Sequence, residues 1–143
     1  TNIYNSIVNA ANWENNVPDS ITAAKDFFVV ANPGTFFQLI DPANMILIVL
    51  ALILFWKKST SVRLYLGVAL FCYIFSMILT FNYFFPRNEM MFLSEQLPDT
   101  ETLKKAASEW GRMNWVRSLI WLAGLICSFL ALDKATSSSK KLS

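Results

Sequence analysis

The run from Val62 to Phe85, VRLYLGVALFCYIFSMILTFNYFF, constrains this chain more than any other feature, because its single charge, Arg63, stands at its very start. As a helix its 24 residues reach roughly 36 Å, enough to cross a hydrocarbon core of about 30 Å. A second run, DPANMILIVLALILFW from Asp41 to Trp56, is shorter. There Asp41 suits a cap and Pro42 the first helical position. A third, WVRSLIWLAGLICSFLAL from Trp115 to Leu132, lies near the lower limit of span length. It is bracketed by Trp115 and by Asp133 with Lys134. Of the 143 residues, 55% are hydrophobic and 15% charged, a balance too apolar for an ordinary soluble domain. The expected fold is all-α: a transmembrane helical bundle with three spans and short interfacial helices. It forms one domain over 1–143, with 134–143 as a flexible cytoplasmic tail.

Composition also removes functions. With no histidine, a His-based triad, a His-metal site and the usual haem ligation are excluded, and no cofactor or metal is expected. Cys72 and Cys127 lie inside apolar runs, far apart in sequence, and read as buried thiols rather than a CxxC or metal pair. A net charge of +2 without a basic stripe interleaved with aromatics argues against nucleic acid.

Basic residues in short loops set an expected orientation. Lys57, Lys58 and Arg63 flank the turn between the first two spans, and Lys134, Lys140 and Lys141 follow the last. The 57–63 loop and the C-terminus are therefore expected in the cytoplasm, and 14–41 and 86–114 outside, in what reads as a bacterial inner membrane. Three spans after an outside start leave TNIYNSIVNAANW resembling the outer end of a helix whose apolar part is missing. A fourth, N-terminal span before Thr1 is the expectation; a soluble segment packed on the surface is the alternative.

Three polar stripes converge on the outer ends of these helices. Asn2, Asn5, Asn9 and Asn12 recur at helical spacing, and amides so aligned turn toward neighbouring helices or a cavity. An amide buried without a partner costs on the order of 2 to 7 kcal/mol. In the long span Tyr73, Ser76, Thr80, Tyr83 and Arg87 form a second stripe flanked by Asn82 and Asn88. Pro86 predicts that this helix ends or kinks near Asn82. The third stripe lies on a helix predicted to start at Asp99 or Thr100. Leu103, Ala106, Ala107, Trp110, Asn114 and Arg117 share its inward face, and Glu101, Lys105, Glu109 and Arg112 turn to water. Arg117 lies about a turn inside its span, where a charge at full depth costs at least ~2.5 kcal/mol; a snorkelling arginine is the plainer reading. Between the first segment and the first full span, a short helix is predicted from Asp19 to Ala31 and a turn at Asn32, Pro33 and Gly34. Phe27, Phe28, Phe36 and Phe37 there serve as interfacial anchors or a lid.

Four stretches, VNAANW (Val8 to Trp13), NPGTFF (Asn32 to Phe37), FNYFFPRN (Phe81 to Asn88) and WGRMNWVRS (Trp110 to Ser118), resemble the anthrone oxygenase-like family of small four-helix membrane proteins. The resemblance implies a four-helix fold with a preceding first helix. It also implies a cofactor-independent oxygenase that converts an anthrone to an anthraquinone, with Asn9, Trp13, Arg87, Asn88, Asn114 and Arg117 as matching site positions. This chain has no histidine, and a shared fold does not by itself carry a shared chemistry.

Two functional readings follow. In the first, an outward-facing site of Asn9, Trp13, Tyr83, Arg87, Asn88, Trp110, Asn114 and Arg117 binds or oxidises a small, flat, phenolic molecule. The molecule stacks on Trp13 or Trp110, and Arg117 holds its oxygen. Tyr83 is the one proton-transfer group this reading offers, and a phenol is a poor base near neutral pH. In the second, the same stripes fasten helices within a non-catalytic accessory or scaffold subunit of a membrane complex. A transporter is disfavoured because no span carries a buried carboxylate and no repeat is visible. The partners expected are the lipid bilayer, a small aromatic ligand and a membrane-protein partner.

Overall fold

The computed structural model describes residues 2–57 and 59–140, with the side chains of 138–140 left aside; Thr1, Lys58 and Lys141, which entered the topology argument, lie outside the described residues. Among the described residues the chain is helical with no strand. Five helices can be distinguished. Helix α1 (residues 2–15) joins Asn2–Tyr4, a wider π-helical stretch Asn5–Ala10 and Ala11–Asn15. Helix α2 is Asp19–Phe27 and α3 is Pro33–Leu54. Helix α4 is Thr60–Leu93, with π-helical stretches at Thr80–Phe84 and Glu89–Leu93. Helix α5 is Thr100–Lys140. Helices α3, α4 and α5 are long and apolar enough to cross a membrane.

Three boundaries differ from expectation, each for a physical reason. Helix α3 begins at Pro33 rather than at Asp41 and Pro42. Either proline suits the first turn, where its missing N–H costs nothing, and the apolar TFFQLI between them carries the helix through. Pro42 then sits inside the helix, a position tolerated in membrane helices. Helix α2 ends at Phe27, short of Ala31, with the Phe28 N–H closing on the Ala24 carbonyl. Helix α4 does not end near Asn82. It widens, the Phe85 N–H bonding five residues back to the Thr80 carbonyl, and this i to i+5 pattern lets the chain pass Pro86 and continue to Leu93. The start of α5 matches the prediction. Asp99 caps it through its carboxylate, which accepts from the Thr102 N–H at 3.0 Å and from the Thr102 hydroxyl at 2.7 Å. Those bonds hold the Asp99 carboxyl below its ordinary pKa.

The chain divides into two compact units. One comprises residues up to Asn32 together with Met77–Leu119. Its core is Trp13, Ile21, Phe84, Met91, Leu103, Ala106, Ala107 and Trp110, all buried. Two bonds tie its short helices in place: the Ser20 hydroxyl donates to the Trp13 carbonyl at 2.6 Å, and the Lys25 ammonium to the Ser94 carbonyl at 2.8 Å. Phe27 stands exposed beside half-buried Phe28, edge to face.

The other unit comprises Pro33–Ser76 and the residues from Ile120 onward. Its core is small, with Val62 and Leu66 packed against Ala131 and Ala135. Helix α3 contributes no buried residue, so its apolar side chains are suited to lipid rather than to a protein interior. The Tyr73 hydroxyl donates to the Asp41 carbonyl at 2.6 Å. A Cβ on Gly124 would meet the Cβ of Cys72 at 3.2 Å, the close approach that small residues permit between membrane helices.

Candidate functional site

All eight residues expected at the site fall in the first unit, and the structure divides them between a buried network and the wall of an open cavity. The network starts at Asn114, which has 0% exposure. Its amide nitrogen donates to the Asn2 carbonyl at 2.9 Å and to the Ser6 hydroxyl at 2.8 Å. Its amide oxygen accepts from Arg117 Nε at 3.0 Å and also from Nη2. An amide offers two donors and two acceptor positions, and all four are used. The inward face predicted for α5 is thereby realised, with Leu103, Ala106, Ala107, Trp110, Asn114, Arg117 and Ser118 all buried.

Arg117 is 8% exposed. Its guanidinium lies 3.7 Å from the centre of the Phe84 ring and 5.7 Å from that of Trp110, and Nη1 donates to the Thr80 hydroxyl at 3.4 Å. Such a charge is held by ring faces, the Asn114 amide oxygen and the Thr80 hydroxyl together. Arg117, expected at an outer cavity, is packed inside the unit instead.

The tryptophans are interior as well. Trp13 and Trp110 are 7% and 4% exposed, and their rings meet edge to face at 5.0 Å. Phe92 covers Trp13 at 4.9 Å, and Phe84 covers Trp110 at 5.3 Å. The ring faces expected to stack on a ligand thus stack on protein. The Trp110 indole donates to the Asn88 side-chain oxygen at 2.8 Å, which explains why Asn88 belongs to this group.

The asparagine stripe on α1 is split. Asn5 is buried and accepts from the Asn9 amide at 2.8 Å, but Asn12 is exposed and bonds to the Val8 carbonyl. The π-helical stretch Asn5–Ala10 has more residues per turn than the 3.6 assumed in the spacing argument, so later positions rotate off the face.

The open cavity, about 380 Å³, is lined by Tyr83, Arg87, Glu109, Arg112, Met113 and Val116. On α5 the last four stand at i, i+3, i+4 and i+7, one helical face, and Tyr83 and Arg87 face them from α4 at i and i+4. Arg87 is the centre of this wall. Its guanidinium lies 3.6 Å from the centre of the Tyr83 ring, and Nη1 donates to the Tyr83 carbonyl at 3.2 Å. Nη2 pairs with the Glu109 carboxylate. Arg87 Nε is buried without a hydrogen-bond partner. The Tyr83 hydroxyl donates to the Glu109 backbone carbonyl at 3.3 Å.

Helical periodicity alone does not find Glu109. On a helical wheel it belongs to the watered face, yet its side chain is only 25% exposed because Arg87 draws it in. The wall thus joins two cations and one carboxylate to an apolar floor of Met113, Val116 and the Tyr83 ring. That chemistry suits a flat, apolar molecule carrying an electron-rich oxygen. Among the described residues no group of three or more Cys, Asp and Glu side chains is placed to hold a metal ion.

No curated protein and no solved structure matches the chain. A family model does: that of anthrone oxygenase, over residues 35–127. This covers about two thirds of the chain and includes both α4 and α5 walls of the cavity. The chain therefore belongs to the anthrone oxygenase family.

Proposed function

We propose that this is an integral protein of a bacterial inner membrane whose cavity between Tyr83, Arg87 and Glu109 binds a small aromatic ketone or phenol and oxidises it with dioxygen. The observation that carries the reading is Arg87. It lines an open groove of about 380 Å³ together with Tyr83 and Glu109, inside the stretch that matches the family. For an anthrone the overall change is a ring CH2 plus O2 going to a ring C=O plus water, which leaves no atom or electron unassigned. Arg87, with Arg112 beside it, would stabilise negative charge on the substrate oxygen as that charge develops. Arg117, Asn114, Asn88, Asn9, Trp13 and Trp110 would act from behind the wall, fixing α1, α4 and α5 within the unit.

The test is oxygen uptake by the full chain in lipid nanodiscs given anthrone under air. One O2 consumed per anthraquinone, with at least a tenfold loss in Arg87→Ala, is the expected result. A rate equal to that of empty nanodiscs would remove the oxygenase reading.

A second reading, a non-catalytic accessory subunit, is favoured by the saturated bonding of Asn114, which ties α5 to α1. Co-purification of a membrane partner that is lost in Arg87→Ala, together with no binding of anthrone, would select it.

A further inference from the structure

We propose that Glu109 is the proton acceptor of this site, the carboxylate that takes a hydrogen from the ring carbon opposite the carbonyl whose oxygen Arg87 holds. The inference rests on the reading above that the cavity takes an aromatic ketone. Of the six side chains that line it, Glu109 alone is a carboxylate. Arg87 and Arg112 are cations without a basic lone pair, Met113 and Val116 are apolar, and the Tyr83 hydroxyl hydrogen is directed at the Glu109 carbonyl.

Its pairing with Arg87 is the second argument. The carboxylate that removes the proton and the guanidinium that receives the resulting oxyanion are hydrogen-bonded to each other. Negative charge then passes from one neighbour of Arg87 to another without leaving the cation. A carboxylate has two oxygens and about four acceptor positions, so the ion pair leaves Glu109 with room to accept a proton. The Arg87 pair and the nearby Lys105 and Arg112 keep Glu109 ionised and make it a weak base, so what it offers an activated C–H bond is position rather than basicity.

The steps balance. Glu109 takes one hydrogen of the CH2 as a proton, and the C–H electron pair moves into the ring to make an enolate whose oxygen lies against Arg87. Dioxygen adds to the ring carbon, forming a C–O bond, and the terminal peroxide oxygen takes back the proton from Glu109. Glu109 then removes the second hydrogen. That C–H pair forms the new C=O as the O–O bond breaks, and the departing hydroxide takes the proton from Glu109 and leaves as water. The carbon has lost four electrons, dioxygen has gained four, and Glu109 is again a carboxylate.

The experiment separates proton removal from oxidation. The full chain in phosphatidylcholine nanodiscs is mixed with anthrone in D2O under argon, and exchange of the methylene hydrogens is followed by NMR. Anthrone binding is measured in parallel by equilibrium dialysis. The wild type is expected to exchange at least tenfold faster than empty nanodiscs. Glu109→Gln is expected to bind anthrone but exchange at the empty-disc rate, and Glu109→Asp to recover part of the acceleration. Exchange in Glu109→Gln equal to wild type overturns the proposal, and so does a wild type that binds anthrone without accelerating exchange. No binding by the wild type sinks the earlier reading instead. If Glu109→Gln does not elute as a monodisperse species, the wild-type pH profile decides. The rate must fall in acid as a carboxylate protonates, and a flat profile overturns the assignment.

Discussion

At the scale of single residues, Asn114 is the point on which the buried network depends. Its four hydrogen bonds bring together the Asn2 carbonyl, the Ser6 hydroxyl and the Arg117 guanidinium. A leucine there has as many side-chain heavy atoms but is bulkier and offers none of these bonds, so Ser6 and Arg117 would be left buried and under-satisfied. Hydrogen bonds to charged groups are worth roughly 1.5–3 kcal/mol each, and Asn114→Leu is expected to cost about 2–4 kcal/mol of stability. Thermal or denaturant unfolding in detergent measures it, and an unchanged midpoint would contradict the account. Gly111 tests the same packing from its other side. A Cβ there would lie 2.9 Å from a Glu14 carboxylate oxygen and 3.3 Å from the Ala10 Cβ. The Glu14 side chain can swing away, and alanine gains roughly 1 kcal/mol of helix propensity over glycine, so Gly111→Ala should be close to neutral. Gly111→Leu has no such escape, since Ala10 is itself in the core, and overpacking there should cost about 1–3 kcal/mol.

At the scale of elements, the capped start of α5 gives a pH-dependent prediction. Thr102 lowers the Asp99 pKa through two bonds to the ionised carboxylate. A lowered folded pKa means that the stabilisation is complete above the ordinary carboxylate pKa and is lost as pH falls through the folded one. The melting temperature of Asp99→Ala should therefore lie below that of wild type at neutral pH, and the gap should close below about pH 4. A gap that is constant with pH would show that the cap does not act through its charge. This helix was legible in the sequence because a cap residue, an amphipathic period and an apolar run all point the same way. The long apolar runs were legible for the same reason of redundancy. What was not legible depends on backbone choices without a residue signature. Pro33 and Pro42 each suit a helix start, and the π-helical widening at Thr80–Phe84 that carries α4 past Pro86 is a response of the backbone to strain. The π-helical stretch in α1 likewise turned Asn12 off a face that spacing alone assigned to it. The candidate site shows the same division. Its residues were recognisable as inward stripes, but Glu109 joins them through Arg87, 22 positions earlier on another helix, and no single-helix periodicity contains that pair.

At the scale of the whole molecule, three helices among the described residues are long and apolar enough to cross a membrane, and one of them, α3, has no buried residue at all. Leu39, Ile46, Leu47, Ile53 and Leu54 stand exposed along it, at a cost in water that lipid would remove. We propose an orientation for these helices from their charge. Lys57 and Arg63 bracket the connection from α3 to α4, and Lys134 follows the apolar part of α5, whereas the connection from α4 to α5 carries Glu95 and Asp99 and no basic residue. The first two regions are thus expected on the cytoplasmic side and the third outside. Ser59 and Glu95 make a fair pair of reporters because both are exposed, so their labelling reads the side of the membrane rather than burial. In intact cells, on a background with Cys72 and Cys127 replaced by alanine, a membrane-impermeant maleimide should label Glu95→Cys and leave Ser59→Cys unlabelled until the membrane is opened. The reverse pattern would invert the topology and place the Arg87 and Glu109 cavity, a few turns of helix from Glu95, at the cytoplasmic face, where its ligand would have to come from inside the cell.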